Sequence, residues 1–302
     1  MINPELVHLS EEVNTALAAG KPVVAFESTV IAHGLPYPRN LETAQRLEQC
    51  IRNAGVIPAT IAIRGGKLCA GLSEQELELI AEAEAIKKVS TRDLPVAVAR
   101  NWDGATTVAS TIWIAHRVGI RVLATGGIGG VHRGSLPDVS ADLPELARTP
   151  MVVVCSGAKI VLDLPATREW LETHGVTIVG FQCDELPGFY SRGSGLVVDE
   201  RADTAAEVAQ LVKAQQALGI SSALVVTVPV PASAEVPLPL LDRVLEDAVK
   251  EAARQRVVGR ELTPFLLARM AEQSHGATLR ANIALLENNA RIAADIAQAL
   301  VD

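Results

Sequence analysis

Aromatic residues are scarce. Phe, Tyr and Trp make up 3% of the 302 residues, so recognition of RNA by base stacking is poorly supplied. Basic blocks are missing as well: the formal net charge is −8 and no run of Lys or Arg stands out. That argues against a nucleic-acid or polyanion partner and leaves room for a small anion held by one or two cations. No apolar run approaches the length of a membrane span, so no membrane partner is expected. The first residues, MINPELVHLSEEVNTAL, carry acids and no basic stretch, unlike a secretory signal. Cys50, Cys69, Cys155 and Cys183 are scattered without paired metal-ligand spacing. They read as reduced, mostly buried thiols of a cytoplasmic protein. There is no internal repeat and no low-complexity linker.

What the chain has in quantity is apolar residues, 49% of the total, enough for a large core. Residues 1–302 read as one domain. Short apolar runs at 22–26, 59–63, 122–124, 151–155, 176–182 and 223–227 read as buried strands. Helical patterns lie between them, at 41–54, from 73, at 104–118, 165–174 and 204–218. Asn40 is placed to cap the first of these, and Ser73-Glu-Gln-Glu76 fits a capping box. The alternation predicts an α/β fold with a parallel or mixed sheet covered on both faces. Residues 67–71 read as the return strand of a hairpin, and 3–19 as an amphipathic helix. A helical tail, at 241–255, 264–273 and 277–300, follows a proline-rich connection at 228–240 and is expected to pack on the sheet or on a neighbouring subunit.

One stretch organises the rest. Residues 121–159 read RVLATGGIGGVHRGSLPDVSADLPELARTPMVVVCSGAK. Two buried strands end there in small-residue turns, Thr125-Gly126-Gly127 and Ser156-Gly157-Ala158, and the second turn delivers Lys159. Ligands of open α/β sheets bind outside the carboxyl ends of the strands. The glycines match neither Gly-x-Gly-x-x-Gly nor the P-loop pattern. They can offer backbone N–H groups to an anion, or simply form a tight turn.

Each ionisable residue nearby has a plain reading beside a chemical one. Lys159 is either a surface lysine or a desolvated amine able to form a Schiff base or bind phosphate; its place at a strand end favours a working role. Glu27, closing the first strand, is either salt-bridged to Arg64 or Lys67 or a general acid–base with a raised pKa. Asp138 and Asp142 are either helix caps, a role that suits Asp142 at the start near Leu143, or oxygen ligands for a hard divalent cation. His132 and Arg133 are either structural or site-lining. Lys88 and Arg92 are either solvated or a phosphate-binding pair.

Seven ordered blocks carry a resemblance over about residues 17–299: FESTVIAHGLPYPRN, KVSTRDLP, NWDGATTVAST, ATGGIGGVHRG, DVSADL, VVVCSGAK and TPFLLARMAE. Together they resemble the pseudouridine-5′-phosphate glycosidase family, also called the indigoidine synthase A-like family. The resemblance implies a three-layer α/β/α sandwich with a mixed, largely parallel sheet. It implies reversible cleavage of the C–C glycosidic bond of pseudouridine 5′-phosphate to uracil and D-ribose 5-phosphate. It also implies a homotrimer and one divalent metal per subunit, usually Mn2+. Residue by residue, Lys159 is similar to the covalent lysine, Glu27 to the acid–base glutamate and Lys88 to the phosphate-binding lysine. Asp138 matches the metal-binding aspartate. Val108, Ser140, Ala141 and Asp142 match substrate-contacting positions, Thr125 and His132 match positions lining the same site, and Asn282 matches an asparagine near the base. The loop 134–138 is slightly shorter than in other members. Two rival readings are a sugar kinase, which lacks its nucleotide signature here, and a non-catalytic sugar-phosphate sensor, which predicts no uracil release.

Overall fold

The computed structural model describes residues 2–83, 86–134 and 138–301. Its strands are β1 (Val7–Leu9), β2 (Val23–Glu27), β3 (Ile57–Arg64), β4 (Lys67–Ala70), β5 (Lys87–Val89), β6 (Gly104–Thr106), β7 (Val122–Ala124), β8 (Val131–His132), β9 (Val152–Cys155), β10 (Leu162–Asp163), β11 (Thr177–Phe181), β12 (Glu200–Ala202) and β13 (Leu224–Thr227). The helices are α1 (Glu11–Ala18), α2 (Arg39–Asn53), α3 (Glu74–Glu82), α4 (Leu94–Ala99), α5 (Val108–Arg117), α6 (Asp142–Leu146), α7 (Leu164–Thr173), α8 (Ala205–Ala217), α9 (Leu238–Gln255), α10 (Leu262–Gln273) and α11 (Ala277–Ala299).

The main sheet runs β1-β4-β3-β2-β7-β9-β13-β11-β12, with β6 added to β3 and β5 to β6. All pairs from β3 through β2 to β12 are parallel. The β3–β4 hairpin and the β3–β6 pair are antiparallel. Every residue of β2, β7, β9 and β13 is buried, as strands covered on both faces must be. Helix α11 lies across β2, β7 and β9 with α2 and α8 beside it, and α5 lies against β2, β3 and β7 with α6 beside it. The result is the α/β architecture with a mixed, largely parallel sheet. One apolar core runs from Val13 to Leu300, and a smaller cluster around Leu77 and Ile80 sits under α3. Among the described residues, no helix is long and apolar enough to cross a membrane.

Three local expectations need correction. Residues 3–19 are not one helix: Pro4–Leu6 form a single 3-10 turn, Val7–Leu9 pair with β4, and α1 starts only after Ser10, whose hydroxyl accepts from Val13 N at 3.2 Å. Asn40 does not cap α2 but lies inside it, donating through Nδ2 to the carbonyls of Ile31 and Ala81, each at 2.9 Å. Gly104–Thr106 is a strand and not a helix start; a side chain on Gly104 would collide with Val89 of the neighbouring strand.

Candidate active site

The carboxyl ends of β2, β7 and β9 lie side by side, and each delivers part of the site. β2 ends in Glu27, which is 6% exposed. The next residue anchors it: Ser28 Oγ donates to Ile61 O at 2.7 Å and accepts from Thr106 N at 2.9 Å. Thr125, just past β7, donates its hydroxyl to Glu27 Oε1 at 2.5 Å. Burial pushes the Glu27 carboxyl above its ordinary value; the positive charge of Lys159 and the Thr125 hydrogen bond oppose this, and the charge of Asp142 adds to it.

Past β9, Ser156 N donates to Gly126 O at 2.9 Å and Lys159 N donates to Ile128 O at 3.1 Å. The two turns therefore zip together and set Lys159 facing Glu27. Tight approach explains the glycines. A side chain on Gly127 would strike the Phe189 ring, and one on Gly129 would strike Ser140 Oγ. Gly129 N instead donates to Asp142 Oδ2 at 2.8 Å, while Ala109 N donates to Asp142 Oδ1 at 2.9 Å. Asp142 thus neutralises the start of α5, whose first residue is Val108, and does not cap its own helix α6. Lys88, in the middle of β5, has its ammonium pKa pulled down by burial and by Lys159, against the charges of Asp142 and Glu27.

Glu27, Lys88, Lys159 and Asn282 line one cavity, together with Thr29, Val30, His33, Gly126, Gly127, Phe189 and the Thr263–Leu267 edge of α10. Thr125 lines a neighbouring small cavity that shares Glu27 and Val30 with it. Ser140 touches the assembly through Asp142, whose N–H donates to Ser140 Oγ at 3.3 Å. Other expected residues stand apart from this cavity. Ala141 lines an outer groove with Arg92 and Trp113. His132 pairs with Leu162 across β8 and β10, and its N–H donates to Asp138 O at 2.8 Å. Arg92 is exposed and paired with Asp93. Of the loop 134–138, expected to be shorter than in other members, residues 135–137 lie outside the described residues.

The metal ligand expected from the sequence is Asp138, which does not line this cavity. Asp138 is exposed, and among the described residues no three His, Cys, Asp or Glu side chains converge as a metal cluster. That donor set fits a hard cation that keeps its waters and does not fit a closed cage of protein ligands.

Sequence reasoning passed over two polar residues, one buried and one half-buried. Asn289 of α11 is fully buried; its Nδ2 donates to Thr125 O at 2.9 Å and to Ser156 Oγ at 3.2 Å, clamping both turns. Its signal was a polar residue on an otherwise apolar helix face. His33 sits on the wide helical turn Val30–Gly34 directly after the Glu27 strand end.

A doubly covered, largely parallel sheet with a lysine, a protonatable glutamate and a second cation lining one cavity beside its strand ends has the make-up of an enzyme site. The family model described as indigoidine synthase A like protein matches residues 12–299, and the chain belongs to that family. It is 52% identical over 293 residues to a pseudouridine-5′-phosphate glycosidase of Geobacillus kaustophilus (strain HTA426), covering 96% of this chain and 97% of the relative. It is 50% identical over 300 residues to the pseudouridine-5′-phosphate glycosidase of Escherichia coli (strain K12), covering 98% and 96%. Among solved structures, the prealnumycin C-glycosynthase AlnA in complex with ribulose 5-phosphate superposes with a TM-score of 0.90 at 38% identity, covering 98% of this chain and 97% of that one. An indigoidine synthase A-like protein of Thermotoga maritima superposes with a TM-score of 0.91 at 40% identity, covering 100% and 99%.

Proposed function

We propose that this protein is an enzyme that reversibly cleaves the C–C glycosidic bond of pseudouridine 5′-phosphate, giving uracil and D-ribose 5-phosphate through a covalent adduct on Lys159. The observation that carries the reading is the convergence of Lys159 with a buried Glu27 and with Lys88 in one cavity. The names of the relatives, and the sugar phosphate held by the C-glycosynthase, support the substrate class.

An ordinary glycosidase protonates a heteroatom leaving group between two carboxylates. Here the leaving atom is carbon, and a different path is needed. The C1′–O4′ bond breaks first, O4′ takes a proton and the base gives up its N1 proton, leaving C1′ as a conjugated acceptor. The Lys159 amine adds to C1′. A proton is delivered to C5, and the C1′–C5 bond breaks as the nitrogen lone pair forms the C=N bond. The bond's electron pair passes into the uracil carbonyl system, and N1 takes a proton back to give neutral uracil. Water then hydrolyses the Schiff base, releasing ribose 5-phosphate and free Lys159. Glu27 carries the protons, since burial keeps its carboxyl protonatable nearer to neutral pH. Lys88 holds the phosphate, placing binding energy away from the reacting carbon. Ser140 and Asp142 hold the backbone at the starts of α5 and α6 beside the cavity, and Thr125 holds Glu27. Asp138 would hold one Mn2+ with waters, and such an ion would supply positive charge to the substrate's oxygens.

The active species is a homotrimer on this reading, of three times the 31.9 kDa chain, residing in the cytoplasm, where free thiols persist. All four cysteines are free, and burial pushes the Cys155 thiol up to about 12. Incubating the trimer with pseudouridine 5′-phosphate and Mn2+ should release uracil. No uracil, with or without metal, would remove the reading. No observation favours the sugar-kinase or sensor alternatives.

A further inference from the structure

Among the polar groups of the cavity that the mechanism leaves idle, His33 is the one with an unpartnered ring nitrogen. Nε2 of His33 is buried and, among the described residues, has no hydrogen-bond partner. Buried polar atoms are nearly always paired, and an orphan at a cavity wall marks a place for a ligand atom. The turn that carries it is held rigidly. Ile31 N and Ala32 N both donate to Ser28 O, Asn40 Nδ2 donates to Ile31 O, and Thr29 Oγ1 donates to Thr106 O. The imidazole is therefore placed by the same strand end that places Glu27.

His33 and Asn282 line the catalytic cavity together, and both also line the larger opening that continues from it between the Val30–Gly34 turn and helices α10 and α11. Apolar walls flank the pair: Val30, Phe189, Pro264 and Leu267. Such a slot suits a flat heterocycle, gripped on its faces by apolar side chains and at its edge by polar ones. An imidazole and a primary amide can match two adjacent atoms of an edge that alternates C=O and N–H.

We propose that His33 is a substrate-contacting specificity residue which, beside Asn282, hydrogen-bonds the polar edge of the pyrimidine. This rests on the glycosidase reading above. Burial and the nearby Lys88 charge hold the imidazole pKa down. A neutral ring can donate or accept to match the base, and it does not compete with Lys88 for the phosphate.

The test runs in the synthetic direction, with uracil and ribose 5-phosphate as substrates. His33→Ala should raise KM for uracil at least tenfold and leave KM for ribose 5-phosphate within twofold. His33→Gln, which keeps a donor and an acceptor, should recover most of the loss; it also serves as the readable variant should the alanine form not fold. Borohydride trapping of ribose 5-phosphate, which needs no base, should proceed equally in the variants and the unaltered protein. An unchanged KM for uracil in an active His33→Ala protein overturns the proposal alone. So does a rise confined to KM for ribose 5-phosphate. Failure of the unaltered protein to process pseudouridine 5′-phosphate at all overturns the function reading as well, and separates the two.

Discussion

A carboxyl group at the end of a fully buried strand must be paired, protonated or both. Glu27 accepts from Thr125 at 2.5 Å and its pKa is pushed above 4.5 chiefly by burial. The sign of the linked stability effect follows. From pH 4.5 up to the raised value the folded form holds a proton that the unfolded form has released, so stability falls as pH rises through that window. Glu27→Gln should abolish this fall and give a higher Tm than the unaltered protein above the window. Turnover should drop by ~10²–10⁴, the usual worth of a positioned acid–base. Thermal melts across pH, read beside uracil release, check both; parallel melting curves with near-normal activity would contradict the assignment. Lys88 gives a separable prediction. Lys88→Ala should weaken phosphorylated substrate by roughly 10- to 100-fold, the loss of ~1.5–3 kcal/mol expected of a charge-assisted contact. Any activity on the unphosphorylated nucleoside should be spared. Equal losses on both would show that Lys88 does not read the phosphate. Glu27 was legible before the fold because a charge at the end of an apolar run is unusual, whereas Lys88 stood out only through its block of the family resemblance. His33 was not, because its significance lies in a missing partner, which no sequence displays.

At the level of elements, the site is two turns held shut by a helix. The turns after β7 and β9 hydrogen-bond to each other, and Asn289 of α11 bonds to both. Asn289→Leu leaves Thr125 O and Ser156 Oγ without that donor, at a cost of ~1–3 kcal/mol. The denaturation midpoint should fall accordingly. Because Thr125 and Lys159 ride on these turns, kcat should fall while KM changes little. An unaltered midpoint and kcat would show that the clamp is dispensable. The long strands and their carboxyl ends were readable as apolar runs. The N-terminal turn-strand-helix unit was not, because β1 is three residues long and the amphipathic pattern of α1 runs back through it. Gly104–Thr106 misled in the same way: three small residues show no period, and only the neighbouring Val89 explains why the first is glycine.

Over the whole molecule, residues far apart in the chain meet at one edge of the sheet. Glu27, Lys88, Lys159 and Asn282 come from β2, β5, the β9 turn and α11. The stretch 121–159 supplied the nucleophile candidate and the scaffold, but the outer wall of the cavity is built by α10 and the Val30–Gly34 turn, which sequence patterning gave no reason to bring there. Asp142 illustrates the gap in both directions. Its position before Leu143 marked it as a cap, and a cap it is, but of α5, a helix more than thirty residues earlier in the chain. The central claim is that Lys159 becomes bonded to the sugar carbon. Mass spectrometry of the protein after borohydride reduction in the presence of pseudouridine 5′-phosphate tests it directly. The account predicts a ribose-phosphate adduct on Lys159 in the unaltered protein, with adduct and turnover both lost in a folded Lys159→Ala variant. An active enzyme that carries no adduct on Lys159 would contradict it.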